Sequence, residues 1–435
     1  QAPALDSAAA GCPWCRRPVR LVAAAGAAIV TSQQRAPSPD SAATGCAYVT
    51  LLYGPRCHAY FLGALVLGWG LRQHAGRHVA RVLLHTPDVP AAYLAALAAS
   101  GWRCQPVEYI SQVSRVFFHN WRTSRFVDVF TKLRALQLTS FEKVLLLDLD
   151  LLVRATPQDQ GGLESVFELP APAAMKRGPP VPKHGDRVPY EDIWEHPTRR
   201  VGDQLPPHQQ ASGINAGVML LKPDAAVFDL MEAEIRDWYH PEHYATYMPE
   251  QEYLSRFYGT FDVWTHIDCR YNLEIDKNER VPHDWTEAHE AVRSAGAACA
   301  SGAGAGYAVG DAHPGAVVLH YSGSGVKPWD LLFERRGEPR TMHVASAAEV
   351  DALLQRLRSV SSPVAAAAGG CGGAPVGLDL DGYADADRLW AAGLEWLEQL
   401  AGVAAEAAAG PDGARADPIA LVRAAVAAEE SEAPH

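Results

Sequence analysis

Two carboxylates one residue apart, Asp148 and Asp150, follow the run Lys143-Val144-Leu145-Leu146-Leu147, and Leu151-Leu152-Val153 comes directly after them. A pair with this spacing can share one hard divalent cation, and such a cation can in turn hold a phosphate. Spelling does not single it out, because Asp379-Leu380-Asp381 and Asp385-Ala386-Asp387 repeat the pattern near the C-terminus. Those two lie among Gly, Ala and Pro with no apolar strand before them. Two more groups capable of chemistry stand far downstream: an imidazole at His320 and an ammonium at Lys327, within Tyr321-Ser322-Gly323-Ser324-Gly325-Val326-Lys327-Pro328-Trp329. Taken singly, a paired Asp is as readily a turn or helix cap, and a lone His or Lys a core or solvated side chain. Cys12-Pro13-Trp14-Cys15 has the spacing of a redox pair or half a zinc site, yet no second pair matches it.

The elements that must position these groups can be read around them. The unbroken apolar approach to Asp148 predicts a strand buried on both faces, and open α/β sheets bind ligands at the carboxyl ends of such strands. Upstream, strands are expected over 46–54, 79–84 and 103–110, with helices over 58–73 and 91–99 between them. This β-α-β-α-β run predicts a parallel sheet. A helix over 125–138, with Phe126, Val129, Phe130, Leu133 and Leu136 on one face, should feed the Asp148 strand. Downstream come a strand at 214–221, helices at 224–239 and 249–258, and a strand at 316–320. The polar, Pro-rich stretch 176–212 and the Ala/Gly-rich stretch 285–315 predict insertions. Ala-rich amphipathic segments over 348–360, 384–408 and 418–427 predict a helical appendage outside the sheet. The expected organisation is a disordered or leader segment over 1–45, an α/β domain over 46–344 and an Ala-rich helical tail over 345–435.

Composition narrows the function classes. The chain has 435 residues, 48% of them hydrophobic, and a net charge of −12. That charge argues against an extended phosphate-backbone footprint, so nucleic acid is not expected as a partner. No 18 consecutive apolar residues occur, so no transmembrane helix is expected. Leu21 to Val30, behind Arg16, Arg17 and Arg20, reads as either the apolar core of a secretory signal or a flexible Ala-rich leader. The first reading favours the secretory pathway or Golgi over the cytoplasm. Eight cysteines in a chain this long do not suggest a disulfide framework.

The order of motifs carries more than any one of them: Asp148-Leu149-Asp150, then Ile214-Asn215-Ala216-Gly217-Val218-Met219, Glu250-Gln251, Tyr271-Asn272-Leu273, and His320 with Lys327-Pro328-Trp329. From about 48 to 329 this resembles glycosyltransferase family 8. The resemblance implies a Rossmann-like, GT-A type fold: a mixed, mostly parallel sheet with flanking helices. It also implies transfer of a hexosyl or uronosyl group from a UDP-sugar, with retention of configuration and a bound metal. Asp148, Asp150 and His320 would be the metal ligands. Two carboxylates with one nitrogen suit Mn²⁺, Mg²⁺ being the poorer match. Lys327 would add positive charge on the diphosphate, helped by the Gly323 and Gly325 loop. Asp148 and Leu149 would lie near the nucleotide, with Leu51, Tyr53 and Tyr60 at the uracil. Lys132, with Arg122 or Arg125, would contact the donor. Asn215, Ala216 and Gly217 match the sugar-contacting strand, and Gln251 the glutamine near the anomeric carbon. Glu250 stands where the family usually has Asp, one methylene shorter. Glu279 occupies the place of the tyrosine used by self-priming members, so a separate carbohydrate, polyol or glycolipid acceptor is expected. Homo-oligomer formation is compatible with all of this. The alternative is a non-catalytic nucleotide-sugar-binding or assembly protein of the same fold. A haloacid-dehalogenase-type phosphotransferase fits less well, because Leu152 replaces the Thr or Val of that class and three strands precede the motif.

Overall fold

The computed structural model describes residues 45–76, 78–122, 124, 126–155, 162–177, 182–193, 213–275, 315–322, 327–336, 341–360, 386–408 and 417–432. Strands β1 (Cys46–Leu52), β2 (Ala80–His85) and β3 (Arg103–Pro106) alternate with helices α1 (His58–His74) and α2 (Ala91–Ala99) and pair in parallel. Together with β4 (Lys143–Leu147), β6 (Ala173–Lys176), β7 (Ile214–Leu221) and β8 (Thr265–His266) they make a seven-stranded sheet of order β3-β2-β1-β4-β7-β6-β8. β4 adds to β1 in parallel, whereas β7 runs antiparallel to both β4 and β6. The sheet is therefore mixed and mostly parallel, as the motif order implied. Strand order reverses at β1, which opens a crevice at the carboxyl ends of β1 and β4.

Alternation along the central strands divides the core into two layers. Ala47, Val49 and Leu51 of β1 join Val144 and Leu146 of β4 on one face. Tyr48 and Leu52 join Leu145 and Leu147 on the other. Helices α3 (Ala225–Arg236) and α4 (Pro249–Gly259) contribute to the first layer through residues such as Phe228, Met231, Leu254 and Phe257. Asp224 caps α3, accepting hydrogen bonds from the backbone amides of Ala226 and Val227.

Two expectations need correction. The segment expected as an α-helix over 125–138 is a 3-10 helix over Val129–Gln137. Phe130, Leu133 and Leu136 recur every third residue and are all buried, a spacing that serves a three-residue turn as well as an α-helical face. The strand expected over 316–320 is shorter, β10 (Val318–His320), and lies outside the main sheet. It pairs with β5 (Leu151–Val153) and β9 (Leu273–Glu274) in a separate three-stranded sheet. The chain turns at Asp148-Leu149-Asp150, so β5 leaves the direction of β4. The insertion expected at 285–315, apart from Gly315, and the leader expected over 1–45, apart from Gly45, lie outside the described residues.

The Ala-rich helices α5 (Ala347–Val360), α6 (Ala386–Ala408) and α7 (Pro418–Glu432) share a core with the sheet. Trp396, Leu397 and Leu400 of α6 and Val422 of α7 are buried in the same cluster as Phe61, Leu62 and Leu65 of α1. Arg154, just past β5, pairs with Glu395 at 2.7 and 3.0 Å, and the Gln399 amide donates to the Val153 carbonyl at 2.8 Å. Helix α1 is thus covered on both sides, which accounts for its long run of buried residues. No described helix is long and apolar enough to cross a membrane.

Candidate functional site

The crevice at the reversal point gathers the charged residues of the chain's motifs. β4 ends at Leu147, and the Asp148 amide donates to the Gly217 carbonyl at 2.9 Å, tying the turn to β7. Antiparallel pairing of β10 with β5 sets His320 opposite Leu151, beside Asp150. His320 Nε2 is 3.5 Å from Asp150 Oδ1, and potential ligand atoms of Asp148, Asp150 and His320 all lie within 4.8 Å of one another. α1 packs directly on the turn between the two aspartates. A Cβ at Gly63 would fall 2.4 Å from the Leu149 carbonyl oxygen, so only glycine allows this approach.

Each aspartate carries an ammonium partner. Lys132, on the 3-10 helix, places Nζ 2.5 Å from Asp148 Oδ1 and 3.9 Å from Glu250 Oε2. Lys327 Nζ donates to Asp150 Oδ2 at 2.6 Å and to the Tyr321 carbonyl. Burial alone would raise the Asp150 pKa, but His320 and Lys327 outweigh it and hold the carboxyl well below the usual range. Burial likewise disfavours the Lys132 charge, yet Asp148 and Glu250 prevail and raise its pKa. For Glu250 burial wins: its pKa is pushed up to about 7, with Lys132 opposing the shift and Asp148 reinforcing it.

A polar chain behind the site sets the state of His320. The Glu274 carboxylate can only accept, so Asn215 turns Nδ2 toward it at 2.7 Å. Asn215 Oδ1 then accepts from the Gly217 amide at 2.8 Å and from Asn272 Nδ2 at 2.9 Å. This leaves Asn272 Oδ1 facing His320 Nδ1 at 2.8 Å, where the ring must donate. Nδ1 therefore carries a proton, and Nε2 is the nitrogen turned toward Asp150, the one left for a metal once any proton on it is displaced. Gly217 makes room for this ring, since a Cβ there would lie 2.3 Å from His320 Cε1. The donor set fits a divalent transition ion.

Two buried polar atoms beside the carboxylates lack any hydrogen-bond partner among the described residues, Glu250 Oε1 and Gln251 Nε2. Gln251 is oriented by its own Oε1, which accepts from the Ala216 amide at 3.0 Å. Unsatisfied groups buried to this degree are costly, and a ligand hydroxyl would satisfy both.

The remaining expected residues fall in different places. Tyr53 follows the last residue of β1, its ring edge-on to Tyr109 with centroids 6.4 Å apart, and burial pushes its hydroxyl pKa up to about 12. The Leu51 side chain is packed in the core, so only its backbone can face a ligand. Tyr60 is partly exposed and sits 5.0 Å edge-on to Trp329. Buried Trp329 also meets Trp396 of α6, and the Lys327 amide donates to Asp330 Oδ2 at 2.7 Å, which fixes Lys327 at the start of its 3-10 turn. Arg122 is exposed beside Trp121. Gly323, Gly325, Arg125 and Glu279 lie outside the described residues. Sequence reasoning gave no role to Asn272 or Glu274. Asn272 stood within the Tyr271-Asn272-Leu273 motif, but nothing in its spacing shows that it would face His320.

No protein-family model matches the chain. Protein R707 of Acanthamoeba polyphaga mimivirus, described as uncharacterised, is 33% identical over 237 residues, 54% of this chain and 74% of the viral one. Inositol phosphorylceramide glucuronosyltransferase 1 of Arabidopsis thaliana is 25% identical over 54% of this chain. The chain spans 34% of that plant protein's length. Among solved structures, the galactosyltransferase LgtC with donor and acceptor sugar analogues aligns at 16% identity over 65% of this chain and 88% of its own, with a TM-score of 0.39.

Proposed function

This chain belongs to one family with the mimivirus protein R707, and we propose that it is a metal-dependent glycosyltransferase. In this reading it moves a hexosyl or uronosyl group from a UDP-sugar to a separate hydroxyl acceptor, with retention of configuration and Mn²⁺ as the ion. The observation that carries the reading is the cluster of Asp148, Asp150 and His320 at the sheet's reversal point, flanked by Lys132 and Lys327. The plant relative, a glucuronosyltransferase, supports the same class of reaction.

Asp148, Asp150 and His320 would hold the ion, which when bound supplies Lewis-acid stabilisation for a diphosphate leaving group. Lys327 adds a positive charge where negative charge develops, and its bonds to Asp330 and Asp150 hold it there beforehand, which lowers the cost of reorganisation. Lys132 lies between Asp148 and Glu250 and offsets part of the negative charge they would present to the phosphates. Gln251 Nε2 and Glu250 Oε1 accommodate hydroxyls of the donor sugar. With a pKa near neutrality, Glu250 can accept a hydrogen bond from a hydroxyl or donate one to it. Gln251 is a poor nucleophile, so the acceptor hydroxyl attacks from the face that the phosphate leaves and gives its proton to that phosphate. Positioning and leaving-group stabilisation would supply most of the rate.

The test is UDP release from a panel of UDP-sugars, with Mn²⁺ or with EDTA, for the unsubstituted chain and Asp150→Ala. Metal-dependent release from one sugar, abolished by the substitution, is the expected result and names the donor. No release from any sugar, with UDP and Mn²⁺ still bound, would point to the non-catalytic alternative. Failure to bind either would sink the assignment.

A further inference from the structure

A second cluster of metal-ligating side chains lies outside this site, where the end of α3 meets α4 and the loop that joins them. Glu234, His240 and His243 are all buried, and their potential ligand atoms lie within 4.8 Å of one another. His240 Nδ1 is 3.8 Å and His243 Nε2 4.0 Å from Glu234 Oε1. His243 is 1% exposed, yet neither of its ring nitrogens has a hydrogen-bond partner among the described residues. Phe117 covers the ring at a centroid distance of 4.2 Å and His240 at 4.8 Å, so ring contacts hold the imidazole in place. A polar ring so placed loses its hydration with nothing in return, which in a folded protein calls for a bound water or ion.

Glu234 also pairs with Arg256, which meets the partly exposed Glu242 at 2.7 Å. The Glu242 amide donates to His240 Nδ1 at 3.4 Å, so that nitrogen presents a lone pair. We propose that Glu234, His240 and His243 form a zinc site with three protein ligands, a water taking the fourth position. Two imidazole nitrogens and one carboxylate oxygen suit zinc better than they suit Mg²⁺ or Ca²⁺, which take oxygen donors. The ion would fasten the His240-Pro241-Glu242-His243 loop to the end of α3, just ahead of the helix that presents Glu250 and Gln251. Its role does not depend on the transferase reading.

The experiment uses the full chain carrying Asp150→Ala, which disables the first cluster, and measures zinc retained after desalting by elemental mass spectrometry. The expected result is one equivalent of zinc per chain, lost when His243→Gln or Glu234→Gln is added. Replacement by Co²⁺ in the Asp150→Ala chain alone should give the visible absorption of a nitrogen-coordinated cobalt ion, a reading that survives if an added substitution prevents folding. No retained zinc and no cobalt spectrum would overturn the proposal. So would zinc that persists undiminished in both added variants.

Discussion

On the proposed reading, Asn272 acts on the chemistry without touching the reacting atoms. It fixes the His320 tautomer because Asn215, Gly217 and Glu274 fix its own orientation. Asn272→Leu keeps the volume but removes the acceptor for the Nδ1 proton, so the ring can turn or change tautomer. Mn²⁺ affinity measured calorimetrically should fall about 10- to 100-fold, the range seen when partners behind metal ligands are removed. Asn272→Asp, which still accepts from Nδ1, should lose less. Equal losses in the two variants would show that packing, and not the tautomer, is what matters. The aspartates were legible from an apolar strand leading into them. Asn272 was legible only as a letter in a motif, because a hydrogen bond to a side chain 48 positions away leaves no local pattern.

At the scale of elements, the tail helices determine how firmly the site is held. α6 lies on α1, and α1 in turn backs the Asp148–Asp150 turn through Gly63. Leu400 is 1% exposed in that interface. Leu400→Ala should therefore cost about 2–5 kcal/mol in denaturant unfolding, as for other large-to-small changes in cores. A cost below ~1 kcal/mol would mean that α6 docks loosely and is peripheral to the core. The sequence indicated amphipathic helices here, with the apolar stripe on one side. It did not indicate what the stripe covers. Periodicity records that a face is apolar and is silent on which other face it meets, so these helices read as an appendage although they share the core of α1. The same limit explains the 3-10 helix at Val129–Gln137, where a three-residue repeat satisfies both helical forms.

For the whole molecule, stability should depend on acid through buried histidines. His266 is 2% exposed, and its Nδ1 accepts from the Lys176 amide at 3.0 Å. Burial is the main cause that lowers its pKa from 6.5 to about 4. Between those values the unfolded chain binds a proton at this position and the folded chain does not. The contribution is therefore fully present above pH 6.5 and is lost as pH falls toward 4, by ~3 kcal/mol for a shift of this size. Denaturant midpoints recorded across that window should fall with acid, and His266→Gln should flatten the slope. An unchanged slope in the variant would place the acid sensitivity elsewhere.

The sequence by itself determined the central strand, the parallel β-α-β-α-β half and the residues able to do chemistry. These follow from local pattern: apolar runs, turn residues, and charge counted along the chain. Only the tertiary structure decided that β10 leaves the main sheet to set His320 against Asp150, that each aspartate faces its own lysine, and that the helices past residue 345 complete the core. It alone disclosed the buried pocket of Glu234, His240 and His243. Those facts depend on pairings between distant segments, and a pairing is set by the joint fit of two surfaces, neither of which encodes the other in its own residues.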